Sequence, residues 1–284
     1  GPPRTSQTLT GFSSGMFVAN NNYSYSYSSD RWQPLKPGSV SITTDADTNQ
    51  VQATIVVKGL RGSPYSHTSS TATLQLGPQN SAFADDKNYV VIKQATDTSP
   101  QSTFKKGYHA PQPINDATVL TSIAATPGCA CEYLTWGLWT SSIPDPNHSS
   151  RSFEAVGTYV AGMPTVQLPQ TGSATYSGFM VGFAQQGSNS IYAATGTYQN
   201  VWSFTNRNGT FSGTFDGRGY SGATQATGPT GSPTFSGNFT SNTGYRSGTL
   251  NGSFFASPTD QAKYQAGTFA IGSNHSHYRA SGIF

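Results

Sequence analysis

Few residues in this sequence have the types and spacing that catalysis requires. The stretch Gly11–Gly15 matches the Gly-x-Ser-x-Gly letters of a nucleophile elbow, but that motif needs a strand, a sharp turn and a helix, and no helical pattern follows it. Glycoside hydrolysis needs two facing carboxylates, and from residue 157 onward the only acids are Asp216 and Asp260. The sequence therefore predicts a protein that is not an enzyme and needs no cofactor.

An alternating run of acids and amides could bind calcium. Asp45, Asp47 and Asn49 follow the spacing of a calcium loop, yet Gln50 and Val56 stand where an EF-hand has a glycine and a carboxylate. A hairpin turn rich in Asp and Asn explains this run without a metal, and that is the interpretation we favour.

His275 and His277 are two residues apart near the end of the sequence. On an extended segment their side chains would point to the same side and could bind a metal or haem iron. Alternatively, both flank a turn and are simply solvated. No metal site is predicted, but the two histidines are kept as candidate binding residues.

Cys129 and Cys131 are the only cysteines, and they are separated by Ala130. On a strand they would share a face but lie too far apart for an unstrained bridge. A strained disulfide is the favoured interpretation, two buried thiols are the alternative, and a metal or redox role is disfavoured because no His or third Cys is near in sequence.

Tyr23, Tyr25 and Tyr27 alternate with serines. On a strand these tyrosines would lie on one face, where they could form a recognition surface for a protein or glycan, because Tyr offers a large contact area at low entropy cost. Cross-strand packing explains the pattern equally well.

The composition favours an extracellular β-protein. Only 10% of the residues are charged, and the helix former Glu occurs only at Glu132 and Glu154. The net charge of +3 is too small to predict a nucleic-acid partner, and no apolar run approaches the roughly 20 residues of a transmembrane helix. We expect an extracellular protein or glycan partner of unspecified identity, while the oligomeric state stays open.

The second half of the chain has the pattern of a small barrel. Residues 157–284 hold 21 of the 31 glycines, and we place a domain boundary after residue 160. Large and small side chains alternate in this half, as in Gly209–Phe215, which indicates strands. The predicted strands are Ala174–Phe183, Ser190–Tyr198, Val201–Asn206, Gly209–Phe215, Arg218–Ala223, Thr234–Phe239, Ser247–Phe255, Tyr264–Ile271 and His277–Phe284, with turns at Asn206–Gly209, Asp216–Gly217 and Ser241–Gly244.

These strands predict a closed, antiparallel, eight-stranded β-barrel in which the last strand pairs with the first, because about eight strands close a barrel that its own side chains fill. Strands such as Gly209–Phe215 are too short and too rich in Gly, Ser and Thr for a membrane-spanning barrel, whose strands run to about 9–11 residues with an apolar outer face.

The first half, residues 1–160, is predicted to be a β-rich, handle-like sandwich or half-barrel. Its expected strands are Leu9–Val18, Ser39–Thr44, Val51–Lys58, Thr71–Leu76, Tyr89–Gln94, Thr118–Ala124 and Glu132–Trp139. The second and third of these form a hairpin, and Asp97–Asn115 is expected to be a long loop. The predicted fold class is therefore all-β, with a handle-like domain followed by the barrel.

Several stretches resemble a known family. The runs Phe215–Gly217, Gly248–Phe255, Gly267–Phe269 and Tyr278–Phe284 resemble the barrel domain of transferrin-binding-protein-B-like surface lipoproteins and solute-binding proteins of Gram-negative bacteria. The runs Cys129–Trp139 and Gly157–Gly162 look like the C-terminal region of FecR-domain bacterial surface proteins. The resemblance implies a handle and a barrel, a position outside the cell associated with the outer membrane, and an iron- or haem-related ligand or protein partner. It carries over no ligand-contacting residue.

We therefore predict a non-catalytic binding module, secreted or on the bacterial cell surface, that recognises its partner through the barrel loops. The alternative is a structural or adhesive domain of a large surface or matrix protein. Saturable binding to one defined molecule would favour the first function, and head-to-tail association the second.

Overall fold

The computed structural model describes residues 7–21, 31–44, 51–62, 68–76, 88–94, 101–102, 133–273 and 275–284. The described residues form strands and turns without a helix, so the fold is all-β. None of them belongs to a helix long and apolar enough to cross a membrane. The strands are β1 (Gln7–Asn21), β2 (Gln33–Pro34), β3 (Lys36–Thr44), β4 (Val51–Leu60), β5 (Ser70–Leu76), β6 (Asn88–Gln94), β7 (Gln101–Ser102), β8 (Leu134–Pro144), β9 (Arg151–Pro164), β10 (Ser173–Gln186), β11 (Tyr192–Ser203), β12 (Asn208–Phe215), β13 (Arg218–Ala226), β14 (Thr234–Ser241), β15 (Ser247–Ser257), β16 (Asp260–Gly272) and β17 (Tyr278–Ile283).

Strands β10 to β17 form the predicted barrel. Each strand pairs antiparallel with the next. β17 then returns to β10, with Ile283 opposite Val181 and Tyr278 opposite Gln186. The closed eight-stranded barrel predicted from the sequence is confirmed, and closure leaves neither the first nor the last strand as an open edge.

Alternation of side chains along each strand fills the barrel with aromatic rings. In β12, for example, Phe211 and Phe215 are buried whereas Ser212 and Thr214 are exposed. The aromatic members of the core are Tyr176, Tyr198, Trp202, Phe204, Phe211, Phe215, Tyr220, Phe235, Phe239, Phe254, Phe269, Tyr278 and Phe284. The interior is therefore packed by the protein's own side chains.

Phe284, which follows β17, belongs to this core. Its backbone N–H and carbonyl pair with Gly267, and its ring stacks on Tyr198 with 4.5 Å between ring centroids. A Cβ atom on Gly252 or Gly267 would lie 2.8 Å from the ring. These two glycines provide the space into which the ring fits.

A small polar network crosses the barrel interior. The Tyr198 hydroxyl and the Asn200 amide donate to Gln265 Oε1 at 2.7 and 3.1 Å, and the Thr224 hydroxyl donates to Asn200 Oδ1 at 3.1 Å. Asn200 is completely buried. Two strands were predicted on either side of Gln199-Asn200, which is wrong: β11 is continuous, because Asn200 finds its partners inside the barrel rather than in a turn.

The N-terminal strands form one antiparallel sheet in the order β5-β4-β3-β1-β9-β8-β6-β7, and β2 also pairs with β1. Strands from both halves of this sheet contribute to one core, in which Ile55 of β4, Trp139 of β8 and Phe153 of β9 are buried together. This is the β-rich handle-like unit expected from the sequence, and β3 and β4 form the predicted hairpin.

The opposite face of this sheet packs on the barrel. Met16, Trp136 and Val160 from the sheet are buried against Val181 and Ile283 from the barrel. The contact includes a hydrogen bond from the Gly15 backbone N–H to Ser281 Oγ, and β9 pairs briefly with β15. The proposed boundary after residue 160 stays a prediction; β9 continues to Pro164 and the first barrel strand begins at Ser173.

Further details differ from the sequence-based expectation. Neither β2 nor β9 was predicted as a strand, and β7 lies in a stretch predicted to be a loop. The turn between β11 and β12 occupies residues 204–207 instead of Asn206–Gly209. The predicted strand Thr118–Ala124 lies outside the described residues.

Candidate functional site

Four turns close one end of the barrel: residues 187–191, 216–217, 242–246, and 273 with 275–277. We call this the Tyr245 end. Because consecutive antiparallel strands alternate direction, these are the turns after β10, β12, β14 and β16, and they lie side by side. Contacts between the turns give this end a defined shape.

Asp216 joins three of the strands at the Tyr245 end. Its Oδ2 atom accepts hydrogen bonds from the hydroxyls of Tyr192 at 2.6 Å and Tyr278 at 2.9 Å. Asp216 and Gly217 have φ angles of 51° and 74°, the left-handed conformation that a tight hairpin turn requires at both central residues. The turn predicted from Asp216-Gly217 is confirmed.

Burial governs the ionisation of the phenols in this cluster. The pKa of Tyr278 lies well above the ordinary tyrosine value, first because the ring is desolvated and second because the Asp216 carboxylate is close. The same two causes raise the pKa of Tyr192. Both phenols are therefore neutral hydrogen-bond donors at physiological pH.

Arginines add further contacts between the turns. The Arg246 guanidinium lies 3.5 Å above the centre of the Tyr278 ring, a cation–π geometry. Arg218 donates to the Thr243 hydroxyl at 3.3 Å. The turns are thus held by hydrogen bonds and a stacked cation rather than by apolar packing.

Tyr245 projects from the turn between β14 and β15. It is 63% exposed, and its ring lies edge-on to the His275 ring, with 5.9 Å between centroids. Among the described residues the other exposed large apolar side chains are Val166 and Val201, so Tyr245 is the only aromatic of this kind there. An exposed aromatic beside an imidazole is the type of group that anchors a partner.

A groove of about 820 Å³ runs along the outer barrel surface from Tyr245. Its floor is formed by β14, β15 and β16, and one wall is formed by Gln33 and Pro34 of β2. Arg279 lines the same groove, and its Nη2 atom donates to Gln185 Oε1 at 2.7 Å and to the Gly187 carbonyl at 2.9 Å.

The structure places the predicted histidines in the turn between β16 and β17. Both are exposed, and His277 has a φ angle of 51°, so the segment is a turn and not the extended strand that would align the two imidazoles. In the part of the chain that the structure describes, no three His, Cys, Asp or Glu residues cluster as a metal site would need. His275 contacts Tyr245, whereas no ligand role follows from the position of His277.

Other candidates fall outside the described residues: Tyr23, Tyr25, Tyr27, Cys129, Cys131 and the Asp45–Asn49 run. They stay predictions.

The stretch with the letters of a nucleophile elbow lies within β1. The Ser13 hydroxyl donates to the Val56 carbonyl at 2.9 Å, and Ser14 Oγ lies 2.6 Å from Thr158 Oγ1. Both serines are buried in the sheet, so neither has the exposed position on a strand-to-helix turn that the motif requires.

The sequence reasoning did not single out Tyr245, Arg246 or Arg279. A local signal exists for the first two: they follow the turn residues Ser241–Gly244, and an aromatic next to a turn glycine is not committed to either strand face. Nothing in the sequence near Arg279 indicates the groove, because its wall comes from β2, more than 200 residues away.

Comparison with known proteins gives matches in structure alone. No family model and no curated protein matches the chain. Similar crystal structures include a double mutant of transferrin binding protein B from Haemophilus parasuis Hp5, 11% identical over 99% of this chain and 77% of that chain, with a TM-score of 0.39. Another is the N-lobe of lactoferrin binding protein B of Moraxella bovis, 10% identical over 81% of this chain and 97% of that chain, with a TM-score of 0.34.

A third is the isotype 1 transferrin binding protein B from serogroup B Neisseria meningitidis, 8% identical over 99% of this chain and 76% of that chain, with a TM-score of 0.33. Similarity this distant carries no argument about a partner. The FecR-domain and solute-binding parts of the resemblance have no support among these matches. What the chain does must be argued from its own residues.

Proposed function

We propose that this protein is a non-catalytic binding module of the bacterial cell surface that recognises an extracellular partner through the turns at its Tyr245 end. The observation that carries the proposal is the exposure of Tyr245 on a turn whose neighbours are fixed. Tyrosine supplies a large contact area with little rotamer entropy to lose, and covering such a ring removes apolar area from water, which favours binding.

The fixed surroundings of Tyr245 support the same proposal. Asp216 accepts hydrogen bonds from Tyr192 and Tyr278. Arg246, the residue after Tyr245, stacks on Tyr278. A surface that is already ordered loses little conformational entropy on binding, which favours affinity. The packed barrel interior, in contrast, offers a ligand little room, so binding belongs on the outside.

The location at the cell surface and an iron- or haem-related partner are parts of the proposal that rest on the low charge of the chain and on the family resemblance of its barrel motifs. His275 is the described histidine that such a ligand could contact together with Tyr245.

A ligand screen tests this function. The purified protein is titrated by thermal shift and absorbance with haem, metal ions, transferrin-type proteins and a set of glycans. We expect saturable binding to one class, weakened about tenfold or more by Tyr245→Ala, and left unchanged by the control Val201→Ala on the barrel wall, where the side chain is 49% exposed.

Equal effects of the two substitutions would contradict binding at the Tyr245 end. Head-to-tail self-association without saturable binding to any probe would favour the structural or adhesive alternative.

A further inference from the structure

The groove beside Tyr245 has a polar floor. Thr240 of β14 and Ser247 and Thr249 of β15 line it with exposed side chains. Phe239 and Ile271 also line it but are buried, and Gly248 and Gly272 leave their backbone open, so hydroxyls are prominent among the exposed groups of the floor. Hydroxyls both donate and accept hydrogen bonds, which suits a ligand that itself carries many hydroxyls.

The charge of the groove is positive. Among the described residues its lining contains the two cations Arg246 and Arg279 and no Asp or Glu, and His275 lies beside them. Within the described residues neither arginine forms a salt bridge, and Arg279 donates only to neutral acceptors, a glutamine side chain and a glycine carbonyl. The Nε atoms of both arginines are buried with no hydrogen-bond partner among the described residues.

A third arginine, Arg31, reinforces this charge. The pKa of Arg279 is lowered from its ordinary value, first by burial and second by repulsion from Arg31. Arg31 is exposed and stands close to β2, the wall of the groove. No salt bridge between either of these arginines and a described carboxylate is present, and two like charges held near each other are stabilised by an anion.

A peptide partner fits this groove less well. The central part of a protein–protein interface is apolar and is filled by aromatic or aliphatic anchors. Here the exposed side chains of the floor are polar, Asn238, Thr240, Ser247 and Thr249, while Phe239 and Ile271 beneath them are buried. A sugar ring has an apolar face that can lie on Tyr245 and hydroxyls that can bond to the floor.

From these features we infer that the groove binds an acidic polysaccharide, with a carboxylate or sulfate group at Arg279 and a sugar ring against Tyr245. This inference rests on the proposed function, because it names the partner class of the same surface. The bond between a guanidinium and an anionic group is charge-assisted and gives the ligand a defined orientation.

The test uses three oligosaccharides of equal length: a uronate oligomer, a sulfated oligomer and a neutral glucan, measured by calorimetry at two salt concentrations. We expect one or both acidic oligomers to bind, with affinity that falls as salt rises, and the neutral glucan to bind at least about tenfold more weakly because it lacks the charge-assisted bonds. The preferred acidic group distinguishes uronate from sulfate.

A pair of glycine substitutions locates the site. A Cβ atom on Gly272 meets no atom within 4 Å, so Gly272→Leu fills the groove without strain and should weaken binding about tenfold or more. Gly178 on β10 is equally open and does not line the groove, so Gly178→Leu is the matched control. Arg279→Lys should keep part of the affinity and Arg279→Gln should lose it.

Three results would overturn the inference. Equal binding of neutral and acidic oligomers would remove the charge argument, and acidic binding that is unaffected by Gly272→Leu would place the site elsewhere. If no oligosaccharide binds while a protein or haem binds in a manner sensitive to Tyr245→Ala, the glycan inference fails and the proposed function stands. If nothing binds, both fail.

Discussion

Asp216 offers the sharpest test of how the Tyr245 end is held. Its carboxylate accepts hydrogen bonds from Tyr192 and Tyr278, and its backbone adopts a φ angle of 51°. Asp216→Ala removes the one oxygen that accepts both bonds and places alanine in the left-handed region. The hydroxyl of Tyr278, a residue with 0% exposure, would then lose its partner.

The expected loss follows from these contacts. A hydrogen bond to a charged group contributes about 1.5–3 kcal/mol. Both bonds are partly buried; the one to the half-buried Tyr192 belongs below that range, and the one to Tyr278, whose own side chain is buried, belongs within it. Alanine in the left-handed conformation costs about 1 kcal/mol more. We expect Asp216→Ala to lower the free energy of unfolding by about 3–4 kcal/mol, and the melting temperature by about 10 °C.

The assay is urea unfolding followed by tyrosine and tryptophan fluorescence, with Asp216→Asn as the control. Asparagine tolerates a positive φ and keeps an amide oxygen as acceptor, so its loss should be about 1 kcal/mol. An Asp216→Ala protein as stable as the original would refute the reasoning. Equal losses for the two variants would show that the negative charge, and not the acceptor geometry and backbone, provides the stability.

Two further predictions concern the barrel and the sheet. Burial raises the pKa of Tyr159 and of Tyr198, so the folded state keeps these phenols neutral while the same phenols in the unfolded chain ionise from about pH 10. Their contribution to the free energy of unfolding is complete below pH 10 and should fall by about 1.4 kcal/mol per pH unit for each tyrosine above it. A free energy of unfolding in urea that is constant between pH 9 and 11 would contradict this. A Cβ atom on Gly222 would overlap the carbonyl oxygen of Asn238 on the facing strand, whereas one on Gly178 meets nothing. Gly222→Ala should therefore lower the free energy of unfolding by about 1–3 kcal/mol, and Gly178→Ala by less than about 0.5 kcal/mol, as measured by thermal unfolding.

The barrel could be predicted from the sequence because its information is local. In β12 and β13 the inward Phe211 and Tyr220 are each followed by an exposed serine, and the turn Asp216-Gly217 carries its own conformational preference. The error in β11 has a non-local cause. Asn200 would be a turn residue on its own, but partners on two other strands, Thr224 and Gln265, satisfy its amide within the barrel.

The missed strand β9 has a different physical reason. It lies between β1 and β8 in the sheet, with Tyr159 buried in the N-terminal core and Val160 buried against the barrel. A strand that is covered on both faces shows no alternation of polar and apolar residues. The pattern that reveals an ordinary half-exposed strand is therefore absent from Arg151–Pro164.

The same alternation that builds the barrel also decides where it can bind. Because nearly every strand aromatic points inward, the outer wall displays Ser, Thr and Gly, which interact weakly and suit hydroxylated ligands. A strong contact must then come from a residue outside the alternation, and Tyr245 is such a residue, since it follows a turn glycine and belongs to no strand. The sequence predicts only that Tyr245 lies next to a turn. The groove beside it forms where β2 meets the end of the barrel, and that contact is set by packing between residues distant in the chain.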